Sequence, residues 1–361
     1  MRLRTIRHVG AQAHPTYLRQ RDEPYQVRPK QTSLATENTE KVTTVRLLVL
    51  GMSLLAAAVH AQPFPNRPIR FLVPGAAGSS QDVLSRIVGN KLSQQLGQQV
   101  VVDVRAGASG VIGIELGKAA APDGYTIIAA TTTLFAGLPA LKTKLSYDPD
   151  RDFAPLTRMA SVANVMTVNA GLGVENVADL VRLAKAKPGQ LNYGSAGNAS
   201  PAHLAGAMFD LLANIRTNHV PYKGAAQALT DVIGGQLQFL ITSPLVAMPH
   251  AKGGRIKVLA TTGAKRDPLI PELPTVADTV PGYDITQWWG IVVPARTPQA
   301  IVQRLHTEIV KALQAPEVRD LVAKQGASVQ PETPAQFTAF MQAERARIAN
   351  LGKKANIRLD D

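Results

Sequence analysis

Apolar and polar positions alternate along this chain in two rhythms that take turns from Pro68 to Val293. A short apolar run, Ile69–Val73, has the spacing of a buried strand, and Val83, Leu84, Ile87, Val88, Leu92 and Leu96 then recur at helical spacing until Gly97 stops them. Val100–Val104 predicts a second strand, a helix follows near Val111–Ala121 and ends at Pro122-Asp-Gly124, and Tyr125–Thr131 predicts a third strand. This β-α-β-α-β order predicts an α/β fold with parallel strands covered by helices.

The alternation resumes after an irregular stretch, Leu145–Pro155. Strands are predicted at Val162–Val168, Leu191–Tyr193, Asn218–Val220, Leu237–Ile241, Ile256–Thr262 and Trp288–Val293. Between them, helices are predicted at Pro201–Leu212, Ala225–Ile233 and Leu245–Ala251, with another that Asn176 and Asp179 open and Pro188-Gly189 closes. Thr297-Pro298 predicts a cap and first turn for a helix with Ile301, Val302, Leu305, Ile309, Val310 and Leu313 on one face. Thr333 and Gln336 predict a capping box for the last helix, whose face carries Phe337, Phe340, Met341, Glu344, Ile348 and Leu351.

One apolar run does not belong to this pattern. Leu47–Val59 is apolar for thirteen residues, follows Lys41 and Arg46, and is followed by His60-Ala61, so that Val59-x-Ala61 has the form of a cleavage signal. That is short for a membrane span, which takes about 20 residues, and right for an export signal, which takes about 7–15. Export with cleavage after Ala61 is therefore expected, with a leader at 1–61, a signal at about 42–61, and a mature chain starting at Gln62. The basic, aperiodic residues 1–41 are unusual ahead of a signal and fit either a start codon assigned too far upstream or a genuine long leader.

At 361 residues the chain has room for two compact units, and 45% hydrophobic residues against 18% charged predict that the bulk folds. The net charge is +13. Loss of the nine Lys/Arg and four Asp/Glu in residues 1–61 leaves +8, a field suited to anionic solutes. The basic residues are scattered, which argues against nucleic acid. The chain has no cysteine, which removes disulfides, thiolate metal sites, a thiol nucleophile and a lipidated cysteine anchor, so a soluble exported product is expected.

Several chemistries are tested by spacing and fail. Val73-Pro-Gly-Ala-Ala-Gly-Ser-Ser-Gln-Asp82 has no Lys after Gly78 and is not a phosphate loop. Gly107-Ala-Ser-Gly-Val-Ile-Gly113 lacks the Gly-x-Gly opening of a dinucleotide site. Asp148, Asp150 and Asp152 imitate the start of a calcium loop, but Phe153 holds the turn-glycine position and Met159 that of the bidentate Glu. No cofactor and no metal are expected. Tyr193-Gly-Ser-Ala-Gly197 approximates a nucleophile elbow but has Tyr193 in place of the first glycine, and a hydrolase built from Ser195 with His203 or His219 stays open as an alternative. A transcriptional regulator would need a helix-turn-helix near the N-terminus, where the signal stands.

What the residues support is a seat for a carboxylate. The stretch Gly75–Ser80 brings backbone N–H groups to the start of a helix, where unpaired donors and the dipole favour an anion, and Ser79 and Ser80 add hydroxyls. Ser195-Ala-Gly-Asn-Ala-Ser200 repeats the arrangement before the helix at Pro201. Asp82, in the first turn, caps the helix and competes with an incoming anion, and becomes a ligand only for a solute that also carries an amino group. His203 is a further candidate contact.

The blocks PNRPIRFLVPG, VRAGASGVIGIELGKAAAPDGYT, LSYDPDRDFAPL, LNYGSAGNASPAHLAGAMF, VPYKGAAQALTDVIGGQLQF and WWGIVVPARTPQAIVQRL occur in that order. In this order and spacing, over Pro63 to Ile357, the chain resembles the solute-binding receptors of tripartite tricarboxylate transporters, the Bug-type receptors. The resemblance implies no enzyme but a periplasmic receptor of a two-lobed, type II-like periplasmic-binding fold, with two parallel-rich sheets flanked by helices around a hinged cleft. Lobe 1 is implied at 63–163 plus 258–361 and lobe 2 at 164–257. It further implies that Ala76, Ala77, Gly78, Ser79 and Ser80 bind one carboxylate, partly through water, and that Ser195, Ala196, Gly197 and Asn198 bind the distal group. Thr131, Thr132, Thr242, Ser243 and Tyr222 are implied to line the cleft. The partners so implied are a di- or tricarboxylate, acidic amino acid or aromatic acid, and transporter subunits in the membrane, with the receptor a monomer. This chain departs from the family in Gly75-Ala-Ala-Gly78, in Val104 where Asn is usual, and in Ala207 where an acid is usual, which bears on the ligand more than on the fold.

Overall fold

The computed structural model describes residues 64–357 and Leu359, so the expected leader and cleavage site lie outside the described residues. The first three strands are β1 (Ile69–Val73), β2 (Val100–Val104) and β3 (Thr126–Thr131), with α1 (Ser80–Leu96) and α2 (Val111–Lys118) as crossovers. β1 pairs in parallel with both β2 and β3, as the expected β-α-β-α-β order requires. Gly97 ends α1 at φ 62°, a left-handed conformation that glycine takes without a steric cost. A π-turn, Thr133–Gly137, and a short helix α3 (Leu138–Leu141) follow β3.

The chain then departs from the expected pattern. Phe153–Ala163 forms an eleven-residue strand, β4, and Val165–Asn169 forms β5, with the break at Asn164. The strand expected at Val162–Val168 therefore straddles two sheets. Pro155 and Arg158 disguise β4 in the sequence, and its place comes from pairing with distant β10 (Thr286–Pro294) and β11 (Ser328–Val329).

Apart from a helix at Pro316–Lys324, where the sequence pattern predicts none, the remaining elements follow the expected alternation closely. They are α4 (Val177–Ala186), β6 (Asn192–Ser195), α5 (Pro201–Ala213), β7 (Asn218–Pro221), α6 (Ala225–Ile233), β8 (Phe239–Thr242), α7 (Pro244–Lys252), β9 (Ile256–Thr261), α8 (Gln299–Gln314), α9 (Pro316–Lys324) and α10 (Pro334–Lys354). Two sheets result, a six-stranded one ordered β11-β4-β10-β3-β1-β2 and a five-stranded one ordered β7-β6-β8-β5-β9. Both are mixed: β6 is parallel to β7 and β8, while β5 runs antiparallel to β8 and β9. All of β9 belongs to the second sheet, so the boundary expected near Val258 falls inside a strand.

The chain crosses between the sheets at two adjacent points. Asn164 O accepts from Thr262 N at 2.8 Å, and the Thr262 hydroxyl donates to Ile285 O at 2.6 Å. One apolar cluster continues from sheet to sheet through Phe135, Phe209, Tyr283 and Trp288, and the Tyr283 hydroxyl donates to Ala205 O at 3.1 Å. The Thr333–Gln336 capping box forms as expected. Thr297 does not cap α8, because its hydroxyl donates back to Pro294 O at 2.7 Å.

Candidate functional site

The first candidate loop leaves the carboxyl end of β1. Ser79 caps α1 with extended backbone (φ −67°, ψ 159°), and its hydroxyl oxygen accepts from Asp82 N at 3.4 Å. Asp82 is only 4% exposed; its Oδ2 accepts from Gly78 N at 2.9 Å and its Oδ1 lies 2.8 Å from Arg86 Nε. The carboxylate is thus occupied in shaping the loop and takes the Gly78 donor for itself. Gly75 N donates to Val73 O and Ser79 N to Ala76 O. Among the described residues, the N–H groups left without an acceptor here are those of Ala76, Ala77, Ser80 and Gln81.

The second candidate loop leaves β6 in the same way. Ser200 caps α5 with φ −66° and ψ 157°, accepting from His203 N at 3.3 Å, and Pro201 takes the first helical position. Ser195 is wholly buried, and its hydroxyl turns inward: Oγ accepts from Gly197 N at 3.1 Å and lies 3.0 Å from Gly197 O and 2.6 Å from His219 Nε2. His203 also turns away from the loop's outer surface, its Nδ1 accepting from Ala199 N at 3.1 Å. Ala196 and Asn198 are exposed, and among the described residues their N–H groups have no acceptor. Burial pushes His203 down to about 4, and burial with His203 as neighbour pushes His219 down to about 3.

Other candidates have partners of their own. The Thr131 hydroxyl accepts from Leu134 N at 3.2 Å, and that of Thr132, buried, accepts from Trp288 N at 3.0 Å and donates to Trp288 O at 3.3 Å. Tyr222 donates its hydroxyl to Asp231, which pushes the phenol up to about 12, and its N–H goes to Ser195 O at 3.0 Å. Thr242 ends β8, and Ser243 stands buried at the start of α7 with no side-chain cap bond.

A third loop, which sequence reasoning set aside as a failed dinucleotide motif, joins the two candidates. Gly107, Ala108, Ser109 and Gly110 take positive φ values of 127°, 46°, 55° and 94° in succession, a conformation that costs free energy at Ala108 and Ser109. Gly110 and Gly113 pack on Pro74: a Cβ on Gly110 would sit 2.7 Å from Pro74 O, and one on Gly113 would sit 2.6 Å from Pro74 Cβ. On the other side, a Cβ on Gly197 would lie 3.5 Å from Ser109 Oγ. The β3 side meets the second loop as well, since a Cβ on Gly137 would lie 2.6 Å from Ala199 O. The two candidate loops therefore border one cleft between the sheets. The signal for the third loop is its three glycines, of which Gly110 and Gly113 pack on neighbouring backbone while Gly107 supplies a positive φ.

Chemically, unpaired N–H groups at two capped helix starts are an arrangement that can hold an anion. Neither loop contains a cation, and Arg105, beside the third loop, pairs with Asp103 at 2.9 Å. No carboxylate reaches the His219 or His203 ring among the described residues, so the Ser195–His219 contact lacks the third member of a hydrolytic triad. No group of three metal-ligating side chains occurs among the described residues, and no described helix is long and apolar enough to cross a membrane.

Residues 84–357 match the model of the tripartite tricarboxylate transporter family receptor. A curated relative from Pseudomonas sp. strain P51, the UPF0065 protein in the tcbD-tcbE intergenic region, is 33% identical over 307 residues, covering 84% of this chain and 91% of that protein. Among solved structures, R. palustris Rpa4515 with adipate is 33% identical with a TM-score of 0.78, covering 82% of this chain and 99% of its own. MatC from Rhodopseudomonas palustris with bound malate is 27% identical with a TM-score of 0.73, covering 80% and 99%. Two mixed sheets flanked by helices are shared with periplasmic solute-binding receptors, which bind substrates and catalyse no reaction; the chain belongs to the tripartite tricarboxylate transporter receptor family.

Proposed function

We propose that this receptor, exported after cleavage behind Ala61, closes as a monomer on a small carboxylate and hands it to transporter subunits in the membrane. The observation that carries the reading is the pairing of spare donors across the cleft: Ala76, Ala77, Ser80 and Gln81 on one side, Ala196 and Asn198 on the other. Each set lies at a capped helix start, where N–H dipoles attract an anion without a cation's help. Two separated donor sets suit an acid with a carboxylate at each end, in keeping with adipate and malate in two relatives. The lobes would hinge at Asn164 and Thr262, and closure requires only that ligand contacts be better in the closed state.

Asp82 refines the ligand class. Its carboxylate already serves Gly78 N and Arg86, so an ammonium would have to displace those contacts, and an acid without an amino group is favoured. Isothermal titration with succinate, adipate, malate, citrate, aspartate, nicotinate and aromatic acids tests this. Binding of at least one dicarboxylate is expected, with aspartate weaker than succinate, and Ser195→Ala should lower affinity by about tenfold, by loosening the loop, while the protein stays folded. A panel with no binding would overturn the reading.

A further inference from the structure

Two imidazoles lie face to face beneath the second loop. His203, in the first turn of α5, and His219, on edge strand β7, stack with ring centroids 4.0 Å apart and planes 12° from parallel. Tyr193 packs on His219 at 5.1 Å and stacks in turn on Phe239 at 5.3 Å. Each imidazole holds one part of the loop, His203 at Ala199 N and His219 at Ser195 Oγ.

Proton counting restricts how these bonds coexist. His203 Nδ1 accepts a backbone N–H, so this ring carries its proton on Nε2. The Ser195 hydroxyl has one proton and three neighbours: Gly197 N, Gly197 O and His219 Nε2. All three are satisfied when Ser195 donates to Gly197 O and accepts from Gly197 N–H and His219 Nε2–H. The loop is then fixed by its own first serine and the ring behind it.

Among the described residues no carboxylate hydrogen-bonds to either imidazole. Tyr193 donates to His203 O at 3.3 Å, Tyr283 donates to Ala205 O, and the nearby carboxylate, Asp210, is bound to Thr217 N at 2.9 Å and to the Thr217 hydroxyl. A proton on His203 Nδ1 would break the Ala199 bond, and two imidazoliums 4.0 Å apart would repel.

We propose that His203 and His219 are positioning residues of the cleft: the stacked neutral pair fixes Ser195–Ser200 so that Ala196 and Asn198 turn their N–H groups outward, and protonation of the pair releases the loop. The proposal rests on the reading of this loop as a ligand seat, and its test separates the two. The mature wild type, His219→Phe and His219→Gln are compared by amide hydrogen exchange without ligand and by adipate titration across pH 4–8. Phenylalanine keeps the stack and loses the bond, so exchange at Gly197 and Asn198 should quicken and adipate affinity fall, each about tenfold at pH 7. Glutamine, with an amide donor for Ser195, should restore most of both. Wild-type affinity should hold from pH 8 to pH 5 and drop toward pH 4, where His203 Nδ1 takes up a proton and gives up Ala199 N; His219→Phe retains His203 and should keep this drop.

Wild-type exchange at Gly197 and Asn198 in His219→Phe, or a wild-type affinity that does not fall between pH 5 and pH 4, would overturn the proposal. If wild type does not bind adipate, the choice of ligand fails, and the exchange result still decides whether the pair holds the loop. Should the variants fail to fold, nitrogen NMR of the wild-type imidazoles decides: both neutral at pH 5 is the expected result, and either ring charged at pH 6 overturns it.

Discussion

Moving from pH 7 to pH 5 is expected to cost the folded receptor on the order of 3 kcal/mol, most of it through two histidines. Burial holds His203 near 4 and His219 near 3, against an ordinary value of 6.5. Between 6.5 and those values the unfolded chain takes up protons that the native state refuses, so stability is complete above about 6.5 and falls as pH falls toward about 4. Each group contributes at most ~1.4 kcal/mol per pH unit, which for two groups over about 1.5 units gives a ceiling near 4 kcal/mol before allowance for partial solvation of His219. The ion-paired carboxylates do not mask this, because Asp103 and Asp152 are held below their ordinary 3.8 and titrate below the window. Thermal melts at the two pH values should differ by about 6 °C, and His219→Gln should remove close to half of the difference. Superimposed melts would mean that these rings titrate normally and that the buried stack is absent in solution.

That dependence could not be read along the chain. His219 reaches Ser195 because β7 pairs with β6 in a register that sets Tyr193 opposite His219, and register between strands 26 residues apart leaves no local pattern. The first strands were legible because each is bounded by its own punctuation, Gly97 after α1 and Pro122-Asp-Gly124 before β3, so β1 and β2 fall where the apolar runs end. β4 was not, because Pro155 and Arg158 interrupt its alternation and its neighbours in the sheet lie more than a hundred residues away.

The candidate site divides in the same way. Ser79 and Ser200 were readable as helix caps, since capping depends on residues three apart. Which hydroxyls face the cleft was not readable. Ser195 and Thr132 are small polar residues at strand ends, as an exposed ligand contact would be, yet both hydroxyls are turned inward by partners distant in sequence, His219 and Trp288.

The loop at Gly107–Gly113 bears on function through Pro74, and Gly113→Val is expected to lower adipate affinity by about 100-fold. A Cβ at 113 would lie 2.6 Å from Pro74 Cβ, 2.7 Å from Pro74 Cα and 2.7 Å from Arg105 O. None of these is the end of a flexible side chain, so the strain has to move the backbone that carries Ala76 and Ala77, at a cost of about 1–3 kcal/mol. Gly117→Ala, one turn along the same helix, is the matched control. Its Cβ would meet Ile128 Cδ1 at 2.8 Å, a methyl that can rotate away, so stability should fall slightly and affinity should hold. The contrast separates displacement of the first loop from general damage to α2. If Gly113→Val binds adipate as tightly as wild type, the donors at Ala76 and Ala77 are not the ones that hold the ligand, and the first seat lies elsewhere in the cleft.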